Sequence, residues 1–240
     1  MIIAVINKST KRTNIDVGDD ARAVDAQFRR DFCPAWGLNV RVYFFPDPAK
    51  IPTNLGYHVP VIQCVDTAPV QMAAGAHGED NDTPDGFYAV NSPIDPCTVL
   101  SHECMELARD LDANEWWDGF SNDGSNAVWS WAAEVGDPVQ DGSYQIAFFD
   151  TNKVLASRPV SNFVFPAWKD PQATAGPYDQ LGVLTAPFTL SSKGYAIVRT
   201  LGAGSEQPVF GPGWPSKVGA SVSARMGRRM GRVLRPRKKV

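Results

Sequence analysis

The sequence has few cysteines, few histidines and no long apolar run. Its four cysteines include no CxxC pair, so buried thiols are expected in this chain of 240 residues and a disulfide framework is not. No segment approaches the roughly 18 apolar residues that a membrane span needs. The apolar start, residues 1–7, lacks the basic segment and the cleavage site of a signal peptide. We therefore expect a soluble protein without a classical export signal.

Acidic charge dominates most of the chain, and basic charge is concentrated at its end. Residues 1–224 contain 15 basic and 26 acidic groups, whereas residues 225–240 contain eight basic groups and no acidic one. These eight are Arg225, Arg228, Arg229, Arg232, Arg235, Arg237, Lys238 and Lys239. Gly227 and Gly231 would each cost about 1 kcal/mol inside a helix, so this tail would become helical mainly against a partner. The candidate partners are an acidic protein surface, nucleic acid phosphates or an anionic membrane, and the alternative is a solvated, disordered tail.

Hydrophobic spacing predicts the secondary structure of the first half as strand, helix, strand, strand, strand. The helix is expected to start from an N-cap at Asp19 or Asp20, to continue to about Phe32 and to end at Pro34. The stretch from 73 to 85 is rich in Gly, Asp and Asn, which predicts a loop. The predicted strands are residues 1–7, 39–45, 59–65 and 87–90.

A second helix is predicted after Asp95, a suitable N-cap, with Pro96 at the first helical position. Its apolar stripe extends from Cys97 to Leu111, and His102 lies off that stripe. Beyond it the sequence predicts a loop around Trp116, a shorter helix over about 126–135, and two β-hairpins, 144–149 with 153–156 and 185–190 with 195–200. We expect residues 1–201 to form one domain, 202–224 a Gly/Pro-rich linker and 225–240 the basic tail.

The second predicted helix carries the sequence Ser101-His102-Glu103-Cys104-Met105-Glu106, an HExxE pattern. His102 and Glu106 are four residues apart, so on a helix they are neighbours that can bind one metal ion. In HExxH metallopeptidases the position of Glu103 holds the general base, which takes a proton from water. The alternative is that His102 and Glu106 form an exposed helix pair without a metal.

Further motifs accompany this helix along residues 20–200. They are Asp31-Phe32-Cys33-Pro34-Ala35-Trp36-Gly37, Ala74-Gly75-Ala76-His77, Asp110 after the HExxE pattern, Glu134-Val135-Gly136-Asp137-Pro138-Val139, and Ser161-Asn162-Phe163-Val164-Phe165-Pro166-Ala167-Trp168. Together they resemble a family of uncharacterised bacterial and bacteriophage proteins with a zincin-like signature. This sequence departs from the family at Leu111, where a Pro is common, and at Cys104, where an aliphatic residue is usual. The resemblance implies an α+β, zincin-like fold, in which a mixed twisted sheet with an active-site helix is followed by a β-hairpin-rich C-terminal part.

The resemblance also implies a third protein ligand, because a catalytic zinc has three and keeps an open position. Glu134 is the residue expected in that role, with Asp137 orienting His102, and the reverse assignment stays open. Asp110 is about 12 Å from His102 along the helix axis, so it is not expected to bind the ion. We expect it to be a helix-end carboxylate or one that supports a ligand through a hydrogen bond. His77 is expected either to contact the substrate or the transition state, or to be an exposed loop histidine.

Two functional hypotheses follow from this ligand set. One neutral His and two carboxylates would leave a divalent ion without net charge, which makes it a weaker Lewis acid than a site with two His ligands. Zinc is the expected ion, and the oxygen-rich ligands also admit manganese or calcium. The first hypothesis is a metal-dependent peptidase that cleaves peptide or protein substrates with Glu103 as base. The second is a catalytically weak or inactive zincin scaffold, a structural or interaction protein of a phage particle or another larger assembly, whose basic tail binds a partner. The expected location is the cytoplasm or the virion.

Overall fold

A computed structural model of the chain describes residues 1–69, 74–80, 83–121, 127–200 and 205–214. Within these ranges the fold is mixed α/β, with three β-sheets and two long helices. The basic tail, 225–240, lies outside the described residues, as do the parts 202–204 and 215–224 of the predicted linker. None of the described helices has the length and the apolar character that crossing a membrane requires.

The largest sheet forms one side of the candidate site. Its strands are β1 (Ile2–Asn7), β2 (Arg41–Phe44), β3 (Val61–Val65), β4 (Gly75–Asp80) and β5 (Thr83–Ala89). They are arranged in the order β2-β1-β3-β5-β4, and neighbouring strands are parallel except for β4, which runs antiparallel to β5 at the edge. The prediction of a loop over 73–85 is wrong, because β4 and the start of β5 occupy most of this stretch. Pairing with β5 outweighs the low strand propensity of this glycine-containing segment.

The first long helix starts earlier than predicted. Helix α1 (Asn14–Gln27) begins after Thr13, whose hydroxyl accepts a bond from Asp16 N–H while the Asp16 carboxylate accepts one from Thr13 N–H. Asp19 and Asp20 therefore lie inside the helix, and the N-cap prediction is wrong. The reciprocal capping pair, which is local in sequence, decides where the helix starts.

The helical region also continues past the proline that was expected to end it. After α1 the chain makes a π-helical turn at Phe28–Phe32 and then a short helix, α2 (Cys33–Trp36). Pro34 lies in the first turn of α2, where its missing N–H is not needed. Gly37, with a φ of 64°, ends the region in the left-handed conformation that glycine adopts easily.

Asp20 is a buried carboxyl group that contacts two arginines. Its side chain is 1% exposed, and its oxygens lie 2.7 Å from Arg12 Nη2 and 3.6 Å from Arg158 Nε. Burial raises the pKa of Asp20 to about 6, because the attraction of the two guanidinium groups offsets only part of the cost of burying the charge. Asp20 therefore holds its proton more tightly in the folded chain than in the unfolded one.

The second long helix lies where the sequence predicts it. Helix α3 (Pro96–Arg109) follows Asp95, whose carboxylate accepts bonds from Cys97 N–H at 2.9 Å and Thr98 N–H at 3.4 Å. Its apolar stripe, which includes the fully buried Leu100, packs against α1 and the large sheet. Other strands cover the rest of the helix, so its polar residues are buried as well. Helix α3 is therefore an internal helix, covered on more than one side.

Two smaller sheets contribute to the same hydrophobic core as α3. The remaining strands are β6 (Trp116–Phe120), β7 (Val128–Ala132), β8 (Ser143–Phe149), β9 (Leu155–Ser161), β10 (Tyr195–Thr200) and β11 (Glu206–Phe210). One sheet has the order β11-β10-β7-β6, and β8 with β9 forms the predicted hairpin beside α3. Strand β11 lies within the stretch predicted as a linker, which therefore contributes to a sheet.

Three predictions for this half are wrong. The loop expected around Trp116 is strand β6, and the helix expected over 126–135 contains strand β7 in its described part. Residues 185–190 form no strand, so β10 pairs with β7 and β11 instead of with its expected hairpin partner. In β7 the buried Trp129 and Trp131 are two residues apart, which places both on one face of a strand. The expectation of buried free thiols is confirmed for all four cysteines.

Candidate metal centre

Three ionisable side chains of the HExxE pattern project from α3 into buried surroundings. His102, Glu103 and Glu106 are 9%, 4% and 3% exposed, respectively. The alternative of an exposed helix pair is therefore wrong. Because burying a charged group is costly unless it has partners, the neighbours of these three side chains decide what the site can do.

The first group of donor atoms joins α3 to the turn after β7. His102 Nε2 lies 3.1 Å from Glu106 Oε1 and 3.2 Å from Asp137 Oδ1. Glu106 Oε1 also accepts bonds from the backbone N–H groups of Gly136 at 3.3 Å and of Asp137 at 3.2 Å, so the turn holds this carboxylate in place. One donor atom from each of His102, Glu106 and Asp137 lies within 4.8 Å of the others. These three side chains are close enough to share one ion.

The second group joins α3 to the edge strand β4. His77 Nδ1 lies 3.2 Å from Glu103 Oε2 and 3.5 Å from Glu106 Oε2, and His77 Nε2 lies 3.5 Å from Glu134 Oε2. Donor atoms of His77, Glu106 and Glu134 again lie within 4.8 Å of one another. The His77 side chain is 6% exposed, so the alternative of an exposed loop histidine is wrong.

The expected ligands His102, Glu106 and Glu134 are brought into one cluster, but they do not form one group. Glu106 belongs to both groups, whereas Glu134 accompanies His77 and Asp137 accompanies His102. A donor atom of Asp137 therefore lies close to those of His102 and Glu106, as the reverse assignment expects, and its role as a ligand stays a prediction. His77, which the sequence suggests only as a substrate contact, is also among the donors.

The ring of His102 is held by residues to which the sequence assigns no role. Its Nδ1 lies 3.5 Å from Ser161 Oγ, and this hydroxyl donates to Asn162 O at 3.0 Å. Ser161 Oγ is then free to accept a bond from the His102 Nδ1–H, which leaves Nε2 to face Glu106 and Asp137. The Ser161-Asn162 dipeptide belongs to one of the motifs of the sequence, and that motif is the signal that could have identified Ser161.

The electrostatics of the cluster favour positive charge. Burial lowers the pKa of His77, but the three neighbouring glutamates raise it by more, to about 9. For His102 burial likewise lowers the pKa, and Glu106 and Asp137 bring it well above its usual value. Burial raises the pKa of Glu106 to about 7, since the attraction of His102 is offset by repulsion from Asp137 and Glu134. Each change favours a state of the cluster that carries more protons, as expected where carboxylates are in excess.

The chemistry of the cluster fits a divalent metal ion. Imidazole nitrogens and carboxylate oxygens are the donors that zinc and manganese take in proteins. His77 Nε2 is buried and has no hydrogen-bond partner among the described residues. A Cβ atom at Gly136 would lie 2.5 Å from His102 Nδ1, and one at Gly75 would lie 2.5 Å from Glu103 Oε1. Backbone therefore packs directly against two of the site side chains and fixes their positions.

The remaining predicted residues lie apart from the cluster. Asp110 is at the C-terminal end of α3, where it accepts bonds from Asn114 N–H at 3.0 Å and Glu115 N–H at 2.9 Å. It belongs to neither donor group found in the described ranges, and this is the position expected of a helix-end carboxylate. The eight basic residues of the tail lie outside the described residues.

No protein-family model, no curated protein and no solved structure matches this chain.

Proposed function

We propose that this protein is a metal-dependent peptidase with a zincin-like active site. The observation that carries the proposal is the buried group of His102, Glu106 and Asp137, whose donor atoms lie within 4.8 Å of one another beside Glu103. Two carboxylates and one imidazole buried this closely together are stabilised most directly by a divalent cation. The His-Glu-x-x-Glu spacing on an internal helix next to an edge strand supports the zincin-like interpretation.

The residues of the site have separate roles in this proposal. His102, Glu106 and Asp137 would hold the ion, which would supply Lewis acidity when bound. Glu103 acts as the general base that accepts a proton from the attacking water. His77 Nδ1, 3.2 Å from Glu103 Oε2, holds the Glu103 carboxylate in orientation.

The edge strand β4 is where a peptide substrate would meet the site. One side of β4 pairs with β5, and its other side pairs with no strand in the described ranges. An extended peptide can add to such an edge through backbone hydrogen bonds. It would then run alongside the strand that carries His77, which is how the substrate would be placed next to the donor cluster.

The burial of the cluster favours a second candidate, in which the ion has a structural role. Glu103 and Asp137 are each 4% exposed and Glu106 is 3% exposed, which leaves little access for water or substrate. An ion held there would link α3 to the turn after β7, and would stabilise the fold by the free energy of its binding. The protein would then be a metal-stabilised structural or interaction protein.

The substitution Glu103→Gln distinguishes the two candidates, because it removes the base and keeps the three ligands. We expect the purified full-length protein to contain a divalent ion, measured by plasma mass spectrometry, and to cleave casein, an unstructured probe, until a chelator is added. E103Q should keep the ion and cleave at least about 100-fold more slowly. The matched control is Glu115→Gln, which changes a glutamate that pairs with Arg109 outside the cluster and should leave cleavage unchanged.

Each outcome has a distinct meaning. Undiminished cleavage by E103Q would exclude Glu103 as the base. A wild-type protein without stoichiometric metal would exclude the metal site. The same conclusion would follow if the double variant His102→Ala, Glu106→Ala retained the metal. A metal-containing wild-type protein that cleaves nothing, and whose Tm falls on chelation, would establish the structural role instead.

A further inference from the structure

Glu106 stands between the two donor groups and presents one oxygen to each. Its Oε1 lies 3.1 Å from His102 Nε2, and its Oε2 lies 3.5 Å from His77 Nδ1. The backbone N–H groups that hold Oε1 fix the orientation of the whole carboxylate. A carboxylate held so that its two oxygens serve different donor groups is suited to bridge two metal ions, which lie about 3.5–4 Å apart in two-metal sites.

His77 has the environment of a metal ligand rather than that of a hydrogen-bonded core histidine. Its Nδ1 lies 3.2 Å from Glu103 Oε2, to which an Nδ1–H can donate. Its Nε2 is then left with a lone pair, is buried, and has no hydrogen-bond partner among the described residues. Metal-bound histidines nearly always donate their other ring N–H to an oxygen such as a carboxylate. Glu103 and His77 form this arrangement, with Nε2 directed towards Glu134 at 3.5 Å.

His102 repeats the same arrangement in the other group. Ser161 Oγ lies 3.5 Å from Nδ1, and Nε2 lies 3.2 Å from Asp137 Oδ1. Each histidine therefore has an oxygen partner at Nδ1 and directs Nε2 at a carboxylate. In a neutral histidine, a lone pair that faces a carboxylate oxygen is repulsive, and a proton or a metal ion between the two atoms removes the repulsion. Both histidines of the cluster have this arrangement.

The four carboxylates of the cluster carry a charge that two divalent ions would balance. Glu103, Glu106, Glu134 and Asp137 are all at most 8% exposed. In the described part of the chain, the ion pairs of Glu103, Glu106 and Asp137 are formed with histidines alone. With neutral histidines, one divalent ion would offset two of these negative charges, whereas two such ions would offset all four. Uncompensated buried charge is strongly destabilising, so the two-ion state is favoured.

We propose that the cluster binds two divalent cations bridged by Glu106, one also held by His102 and Asp137 and the other by His77 and Glu134. The second ion rests on the proposed function, because it shares Glu106 with the first, but it does not depend on peptidase activity. The mixture of imidazole and carboxylate donors suits manganese or zinc. Glu103 orients His77 through its Oε2 atom, as a metal-bound histidine requires.

Metal stoichiometry tests the second ion independently of any activity. The full-length protein is stripped with a chelator, titrated with Mn²⁺ or Zn²⁺, and the bound ions per chain are measured by plasma mass spectrometry. We expect two ions in the wild-type protein and one in His77→Ala. His58→Ala is the matched control, because His58 is a solvent-accessible histidine whose side chain is 44% exposed and lies 3.5 Å from Asp85. H58A should bind two ions. Glu134→Gln, which preserves side-chain shape, should bind one ion and replaces H77A if that variant fails to fold by circular dichroism.

The outcomes separate this proposal from the proposed function. One ion per chain in wild type, H77A and E134Q alike would overturn the second ion and leave the first standing. No bound ion in the wild type would overturn both, and two ions in H77A or E134Q would overturn the assignment of His77 and Glu134. Electron paramagnetic resonance of the Mn²⁺-loaded protein should show an exchange-coupled pair in the wild type and isolated Mn²⁺ in H77A. Isolated signals from two ions in the wild type would overturn the bridging role of Glu106.

Discussion

A single methyl group at Gly136 tests the geometry of the site. Gly136 has a φ of −92° and a ψ of −36°, which alanine adopts without strain, so Gly136→Ala adds only side-chain bulk. The new Cβ would lie 2.5 Å from His102 Nδ1 and 2.7 Å from its Cε1, whereas ordinary contacts begin at 3.4 Å. In a closely packed interior the ring must therefore move by about 0.9 Å, or the turn must move away from it.

Either movement has a cost that can be measured. The His102 ring is confined by Ser161 on one side and by Glu106 and Asp137 on the other. Adding bulk at a packed position typically costs about 1–3 kcal/mol of unfolding free energy. Displacing a ligand that is held this closely should weaken metal binding on the order of 10–100-fold, the range found when groups that orient a ligand are changed.

Two measurements distinguish these effects. Urea unfolding in the presence of a chelator gives the cost to the fold alone, and titration with Mn²⁺ gives the change in metal affinity. Gly18→Ala is the control, because its Cβ would lie 3.3 Å from Cδ1 of the Phe44 ring, away from the cluster. G18A should leave metal affinity unchanged. If G136A bound Mn²⁺ and unfolded in urea as the wild type does, the packing of His102 against Gly136 would be refuted.

Three further changes probe the support of the site and the rest of the fold. Ser161→Ala removes the hydroxyl beside His102 Nδ1 and should lower Mn²⁺ affinity by about 10-fold or more, and an unchanged affinity would show that the hydroxyl does not orient the ring. Asp20→Asn tests the raised pKa. The folded chain binds this proton more tightly, so the stability that Asp20 contributes is present below pH 3.8 and is lost as the pH rises through about 6. A rise of this size in pKa corresponds to roughly 3 kcal/mol. In the presence of a chelator, the unfolding free energy of D20N relative to wild type should therefore increase between pH 4 and 7. A decrease would mean that the attraction of the two arginines outweighs the cost of burial. Leu100→Ala empties a fully buried position of α3 and should cost about 2–5 kcal/mol in urea unfolding, and a cost below about 1 kcal/mol would contradict the burial of this residue.

The sequence predicts the elements whose signals are local. Helix α3 has an N-cap at Asp95, a proline at its first position and a regular apolar stripe, and all three signals lie within the helix or next to it. Strand β4 has no such signal, because a segment with two glycines becomes a strand only through its pairing with β5. Strand β7 did carry a signal, the alternation of Trp129 and Trp131, but the same short run also fits a helix when its neighbours are unknown.

The site residues that can be predicted from the sequence are those that lie on an element that can itself be predicted. The spacing of His102, Glu103 and Glu106 depends only on α3, so these residues can be assigned from the motif. The grouping of Glu134 with His77, and of Asp137 with His102, depends on how β4 and the turn after β7 lie against α3. That placement is tertiary, and a single sequence contains no direct measure of it.

The parallel pairings of the large sheet also determine when the donor cluster can form. Strand β1 pairs with β3, for example Ala4 with Val61, and β3 pairs in turn with β5, so the sheet joins segments far apart along the chain. Topologies of this kind fold slowly, because distant segments must meet first. His77 lies on β4 and Glu106 on α3, so we expect the two side chains to meet late in folding, once both elements have packed on that sheet. An interaction that forms after the rate-limiting step slows unfolding and leaves the folding rate unchanged. Bound metal would therefore lengthen the lifetime of the folded protein without hastening its formation.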